Sequence, residues 1–115
     1  MKKLFSGLLA ALCVLAAAAA QAQSPVLDRI KSAGVLRVGV KTDYRPFGFL
    51  DPAGKIVGLE PDLAADLARR LKVQLELVPV QTANRMEFLQ QGRINVMIAT
   101  MSVNDQRRKV VGVIE

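Results

Sequence analysis

The sequence has no histidine, no tryptophan, one tyrosine and a single cysteine, Cys13. Without histidine, and with one thiol, it offers neither a Cys/His nucleophile pair nor the ligand set of a structural zinc. One cysteine builds no disulfide framework. No Gly-x-Gly-x-x-Gly run provides a phosphate cradle, and no metal or cofactor is expected. Acids are the minority, 10 against 16 Lys and Arg, for a formal charge of +6 and a pI near 10.0. That excludes an acidic disordered tail. It does not point to nucleic acid, because the basic residues are scattered along the chain instead of forming one stripe, so no nucleic-acid partner is expected.

What is present begins with an address. Lys2 and Lys3 form a short positive start, Leu4 to Ala20 is apolar and uncharged, and Ala20-Gln21-Ala22 supplies small residues at the −3 and −1 positions. This is the pattern of a cleavable secretory signal peptide over residues 1–22, with the cut after Ala22. The apolar run is also short for a membrane-spanning helix. Leu12 stands before Cys13, where a lipoprotein signal needs a small residue. The expected mature chain, residues 23–115, therefore lacks cysteine and carries 14 basic and 10 acidic side chains, net +4. Its expected location is the bacterial periplasm.

The mature chain alternates strand and helix signals. Val35–Val40 is β-branched and bounded by Gly34 and Lys41, which predicts a first strand. Lys41 to Pro46 reads as a loop. Phe47–Leu50 and Lys55–Gly58, joined by Asp51-Pro52-Ala53-Gly54, read as a hairpin, since Pro52 presets φ and Gly54 accepts positive φ. Glu60-Pro61-Asp62 opens a helix with acids at its positive end and Arg69, Arg70 and Lys72 at the other. Leu59, Leu63, Leu67 and Leu71 recur every fourth residue, with Ala64 and Ala68 beside them, and predict the stripe that faces a sheet. Val73–Val78 alternates as a second strand that Pro79 ends. A shorter helix over 83–91 places Met86 and Leu89 inward and stops at Gly92. Ile94–Ala99 reads as a strand buried on both faces, and Val110–Ile114 as the start of another. Strands alternating with helices predict an α/β fold with a mainly parallel sheet flanked by helices. Chain end and size suggest an incomplete domain over residues 23–115.

In such folds ligands sit at the carboxyl ends of the strands. Those ends carry Lys41 to Arg45, Gln81 to Arg85 and Thr100 to Arg107, all rich in donors. Arginine grips a carboxylate with two parallel hydrogen bonds, so the site suits a small anion or zwitterion, with Tyr44 adding a flat face. Plainer roles exist for each. Arg45 and Arg108 are of the kind that water solvates, Thr100 and Ser102 of the kind that caps a turn, and Tyr44 of the kind that covers a hairpin. Asn84 suits a helix cap, which leaves Arg85 incidental.

Four blocks in order resemble the bacterial extracellular solute-binding proteins of family 3, the polar amino-acid binders that serve ABC importers. They are Leu36-Arg37-Val38-Gly39-Val40 through Tyr44-Arg45-Pro46-Phe47; Gly58-Leu59-Glu60-Pro61-Asp62-Leu63; Asn84-Arg85 through Gly92-Arg93-Ile94-Asn95; and Asn104-Asp105-Gln106-Arg107 through Val111. Asn95 and Asn104 depart from the family's usual Asp and Thr, and Gly112-Val113-Ile114 from its Asp-Phe-Ser. The resemblance implies a two-lobe clamp, of which this chain supplies the first part of lobe one. It implies that Arg107 clamps a ligand carboxylate, with Thr100 and Ser102 as donors beside it and Tyr44 as an aromatic wall. Arg85 occupies the position where acidic-amino-acid binders place an arginine for the side-chain carboxylate, with Thr82 nearby, and Lys41 a further basic position of that subgroup. The implied partners are a small carboxylate-bearing ligand, an amino acid foremost, and an ABC permease in the inner membrane. A binding protein rather than an enzyme is expected. The alternative on the same scaffold is a periplasmic cyclohexadienyl (arogenate/prephenate) dehydratase, for which Glu60 and Asp43 are the nearby carboxylates.

Overall fold

The computed structural model describes residues 24–114; the signal peptide expected over residues 1–22 lies outside them. Helix α1 (Pro25–Ala33) starts on a proline, whose missing N–H is one that a first turn leaves unused. Gly34 closes it at φ 71°, a left-handed cap that glycine adopts without strain. The chain then enters β1 (Val35–Val40), the centre of a parallel three-stranded sheet between β5 (Gln74–Pro79) and β6 (Val96–Ile98). Successive residues of a strand face opposite ways. Leu36, Val38 and Val40 face one side and pack with Ile30 of α1 and with Ala64 and Ala68 of helix α2 (Leu59–Leu71). Gly39 faces the other, against Val80 and Ile94, where Phe88 and Leu89 of helix α3 (Arg85–Gln90) complete a second cluster. Helices therefore cover both faces of the sheet, the predicted α/β class.

A smaller antiparallel sheet joins β2 (Asp43–Tyr44), β3 (Gly48–Leu50) and β4 (Ile56–Val57). Its turn is set by the Asp51 carboxylate, which accepts the N–H groups of Ala53 and Lys55, each at 2.9 Å. A four-residue helix, α4 (Asp105–Arg108), follows β6.

Six expectations need correction. The stretch Lys41–Pro46 is not all loop, because Asp43 and Tyr44 pair with β3. Pro79 lies inside its strand as the last residue, not beyond it: it stands opposite Val40, and the Val80 N–H donates to the Val40 carbonyl at 2.9 Å. Proline fits there because β5 has a neighbour on one side alone among the described residues. Helix α2 is rotated from its leucine stripe. Glu60, Pro61, Ala64 and Ala68 are buried, Leu67 and Leu71 are half-buried, and Leu59 and Leu63 remain 61% and 54% exposed. Alanine lets the helix axis approach the sheet, which four leucines in one row would prevent. In the shorter helix, Phe88 and Leu89 pack inward, while Met86 is half-buried and outside that cluster. Finally, β6 is half-buried, not fully buried, although Val96 and Ile98 pack against one core cluster and Met97 against the other, and Val110–Ile114 forms no strand. A strand needs a ladder partner for its N–H and C=O groups, and none of the described strands pairs with that segment.

Lys72 caps the C-terminus of α2 at φ 58°, donating its N–H to the Ala68 and Arg69 carbonyls. A side chain there carries a left-handed penalty that glycine lacks. Lys72→Gly is expected to stabilise the fold by about 0.5–1 kcal/mol after the added backbone entropy of the unfolded chain is subtracted. A higher urea midpoint at unchanged slope checks this; a lower midpoint contradicts it.

Candidate functional site

The parallel register brings the carboxyl ends of β1, β5 and β6 to one edge, with Val40 opposite both Pro79 and Ile98. The residues that follow are Lys41, the Gln81–Arg85 turn and Thr100. Among the described residues, the buried polar side chains are Lys41, Glu60 and Arg85, at 5%, 3% and 7% exposure, and all three belong to this edge. Burying charge is costly unless it is paired, so their partners define the site.

The Lys41 ammonium donates to Thr82 Oγ1 at 2.8 Å and pairs with Asp43 Oδ1 at 3.2 Å. Its backbone N–H donates to Glu60 Oε1 at 2.9 Å. Glu60 thus ties the end of β1 to the first turn of α2. Its other oxygen, Oε2, is buried without a hydrogen-bond partner. Burial raises the Glu60 pKa above the usual carboxylate value, against the opposing pull of the Lys41 N–H and of the Lys41 and Arg85 charges; Asp43 adds to the rise. The Arg85 guanidinium donates to the Ala99 carbonyl at 2.8 Å and so props the end of β6. Burial, and then the nearby positive charge of Arg107, lower the Arg85 pKa, while Glu60 raises it.

Arg107 stands on α4, the turn presented by β6. Its guanidinium donates to the Ser102 carbonyl and hydroxyl at 2.5 and 2.9 Å, and its backbone N–H is accepted by Asn104 Oδ1 at 2.8 Å. The asparagine cap and the serine together fix where the guanidinium points. Thr100 adopts φ 52°, a left-handed conformation uncommon for a β-branched residue, where the chain leaves β6 for this turn. Tyr44 lies next to Asp43 on the hairpin, half exposed, its ring stacked on Phe47 at 5.2 Å.

The structure therefore joins Lys41 to Thr82 and Arg107 to Ser102, and brings Arg85 and Arg107 within electrostatic reach of each other. It gives Tyr44 and Thr100 no hydrogen bond to these side chains. Asn84 does not cap α3 by its side chain. Its Oδ1 accepts the Gln81 N–H at 2.8 Å and tightens the turn that carries Thr82. Sequence reasoning undervalued Glu60, read first as a helix-end acid. Its spacing of four and eight residues before Ala64 and Ala68, on the small-residue face, is the signal that places it inside. Three cations against two carboxylates leave the edge positive. Its donors outnumber its acceptors, which is the chemistry of an anion receptor.

This partial α/β lobe is of the kind found in periplasmic amino-acid-binding proteins. The profile of the bacterial extracellular solute-binding proteins, family 3, matches residues 36–115, and the chain belongs to that family. It is 38% identical over 101 residues to a cyclohexadienyl dehydratase of Pseudomonas aeruginosa, covering 88% of this chain and 38% of that protein. It is 34% identical over 88 residues to the L-cystine-binding protein TcyJ of Escherichia coli, covering 76% of this chain and 33% of that one. The arginine-bound form of domain 1 from TmArgBP, of T. maritima, superposes with a TM-score of 0.67 at 41% identity, covering 70% of this chain and 64% of that one. The matched stretch spans 38% and 33% of the length of the two curated relatives.

Proposed function

We propose that this chain contributes the carboxylate-gripping part of a periplasmic solute-binding protein, one that captures an amino acid for an ABC permease of the inner membrane. The observation that carries the reading is the meeting of Lys41, Arg85 and Arg107 at the ends of three parallel strands, with the hydroxyls of Thr82 and Ser102 hydrogen-bonded to two of them. In this reading Arg107 takes the α-carboxylate, Ser102 and Thr100 line it, and Tyr44 forms a wall. Lys41, Thr82 and Arg85 set a second positive locus suited to a side-chain carboxylate. Export by residues 1–22 puts the protein where such ligands arrive.

The test is calorimetric titration of the chain, without residues 1–22, with L-glutamate, L-glutamine, L-arginine and L-cystine. An open site leaves its hydrogen bonds in competition with water. Binding is therefore expected for L-glutamate in the high-micromolar to millimolar range. A preference for L-arginine over L-glutamate contradicts the anionic second locus, and no binding of any amino acid contradicts the whole reading.

A dehydratase is the second reading, favoured by the identity to the Pseudomonas enzyme and by the raised pKa of Glu60, a property general acids share. Both Glu60 oxygens are nevertheless occupied or enclosed, which leaves exposed Asp43 as the reachable carboxyl group. Formation of phenylpyruvate from prephenate, by this chain or by a full-length protein that contains it, decides for the enzyme.

A further inference from the structure

Glu60 is 97% enclosed and still holds one oxygen without a partner amid the site's cations. A carboxylate used only as a brace for Lys41 would be replaceable by an amide. One placed as a counter-charge would alter what the site binds without touching it. The groups facing it from each neighbouring element are Lys41 at the end of β1, Asp43 on β2, and Arg85 on α3, whose own charge is coupled to Arg107 on α4.

We propose that Glu60 is a specificity-setting, positioning residue: ionised, it offsets one positive charge of the anion site and limits its preference for dicarboxylic over monocarboxylic amino acids. This rests on the anion-binding reading above and adds a residue that no ligand atom reaches. Its action is electrostatic, so it works through Lys41 and Arg85. A negative charge fixed beneath the site opposes an incoming carboxylate, and by linkage a bound carboxylate opposes ionisation of Glu60. Ligand binding and proton uptake therefore favour each other. Affinity for a dicarboxylate rises as pH falls toward the Glu60 transition, so long as the ligand's own carboxylates stay ionised.

The experiment follows two NMR signals in the chain without residues 1–22, using L-glutamate as the probe. The Lys41 amide reports Glu60 directly, because it donates to Oε1; the Arg107 Nε–H reports the ligand. In the free chain the Lys41 amide is expected to titrate above the usual carboxylate range, and saturating L-glutamate is expected to move that midpoint upward. Glu60→Gln keeps an acceptor for the Lys41 N–H and removes the charge. It is expected to raise the L-glutamate over L-glutamine affinity ratio by about threefold to tenfold at pH 7.5, an order of magnitude set by Coulomb repulsion in a partly screened site. It is also expected to flatten the Lys41 titration. A midpoint unmoved by L-glutamate while Arg107 responds overturns this inference and leaves the binding reading standing. An Arg107 signal that ignores every amino acid overturns both. If Glu60→Gln fails to fold, the titration of the unaltered chain decides alone.

Discussion

Arg107→Ala is expected to abolish amino-acid binding while leaving the thermal unfolding of the chain unchanged. The side chain is part of no core cluster, and its helix has only four residues. What it supplies is a guanidinium already oriented by two bonds to Ser102 and by the Asn104 cap on its backbone. A hydrogen bond to a charged group contributes about 1.5–3 kcal/mol. In a site open to water these bonds act near the low end of that range, which places the expected loss at about 1.5–3 kcal/mol, or roughly tenfold to 150-fold in affinity, enough to carry a millimolar Kd out of measurable range. Arg107→Lys keeps the charge without the planar fork and is expected to fall between the two. Calorimetry on the three proteins, with circular dichroism melts as the control for folding, separates lost grip from lost structure. Unchanged affinity in the alanine variant would remove Arg107 from the site.

The order of elements was legible because strand signals with a period of two, a helix signal near four, and turn residues at Asp51–Gly54 agree with one another. The position of the site followed from that order, since parallel strands must deliver their following loops to one edge. Legibility failed where a residue's role depends on a neighbour far away in sequence. The leucines of α2 are its most apolar residues, yet the helix turns its alanines to the sheet, and with them Glu60, which accepts the N–H of Lys41 nineteen residues earlier. Periodicity ranks residues by hydropathy; close approach ranks them by size. The segment Val110–Ile114 failed for a related reason: β propensity describes a willing strand, and pairing depends on where the rest of the chain carries it. Among the cations, Lys41 and Arg107 are both positive in the sequence, but only geometry distinguishes the buried ammonium tied to Thr82 from the arginine poised on a capped turn.

Gly48→Ala tests the packing on which that geometry depends. Gly48 sits in β3 with an ordinary negative-φ backbone, so conformational freedom is not what glycine provides there. Space is. A Cβ at this position would lie 2.2 Å from the Lys41 carbonyl oxygen and 2.6 Å from Glu60 Oε1. The first of these is backbone, which cannot rotate aside as a side chain does, and the second is the oxygen that accepts the Lys41 N–H. Relief requires the hairpin to lift from β1 or the Glu60 carboxylate to leave its donor, and either change exposes or orphans a buried charge. Crowding of a packed interior costs about 1–3 kcal/mol, and separating a buried carboxylate from its donor adds about 1–3 kcal/mol. A loss of about 3 kcal/mol or more is therefore expected in urea unfolding, together with loss of the Lys41 amide titration. Gly112→Ala, where an added Cβ meets nothing within 4 Å, is the matched control and is expected to leave the midpoint in place. Equal midpoints for the two variants would mean that the hairpin does not press against Lys41 and Glu60, and the buried network would lose the support that fixes its charges at the strand ends.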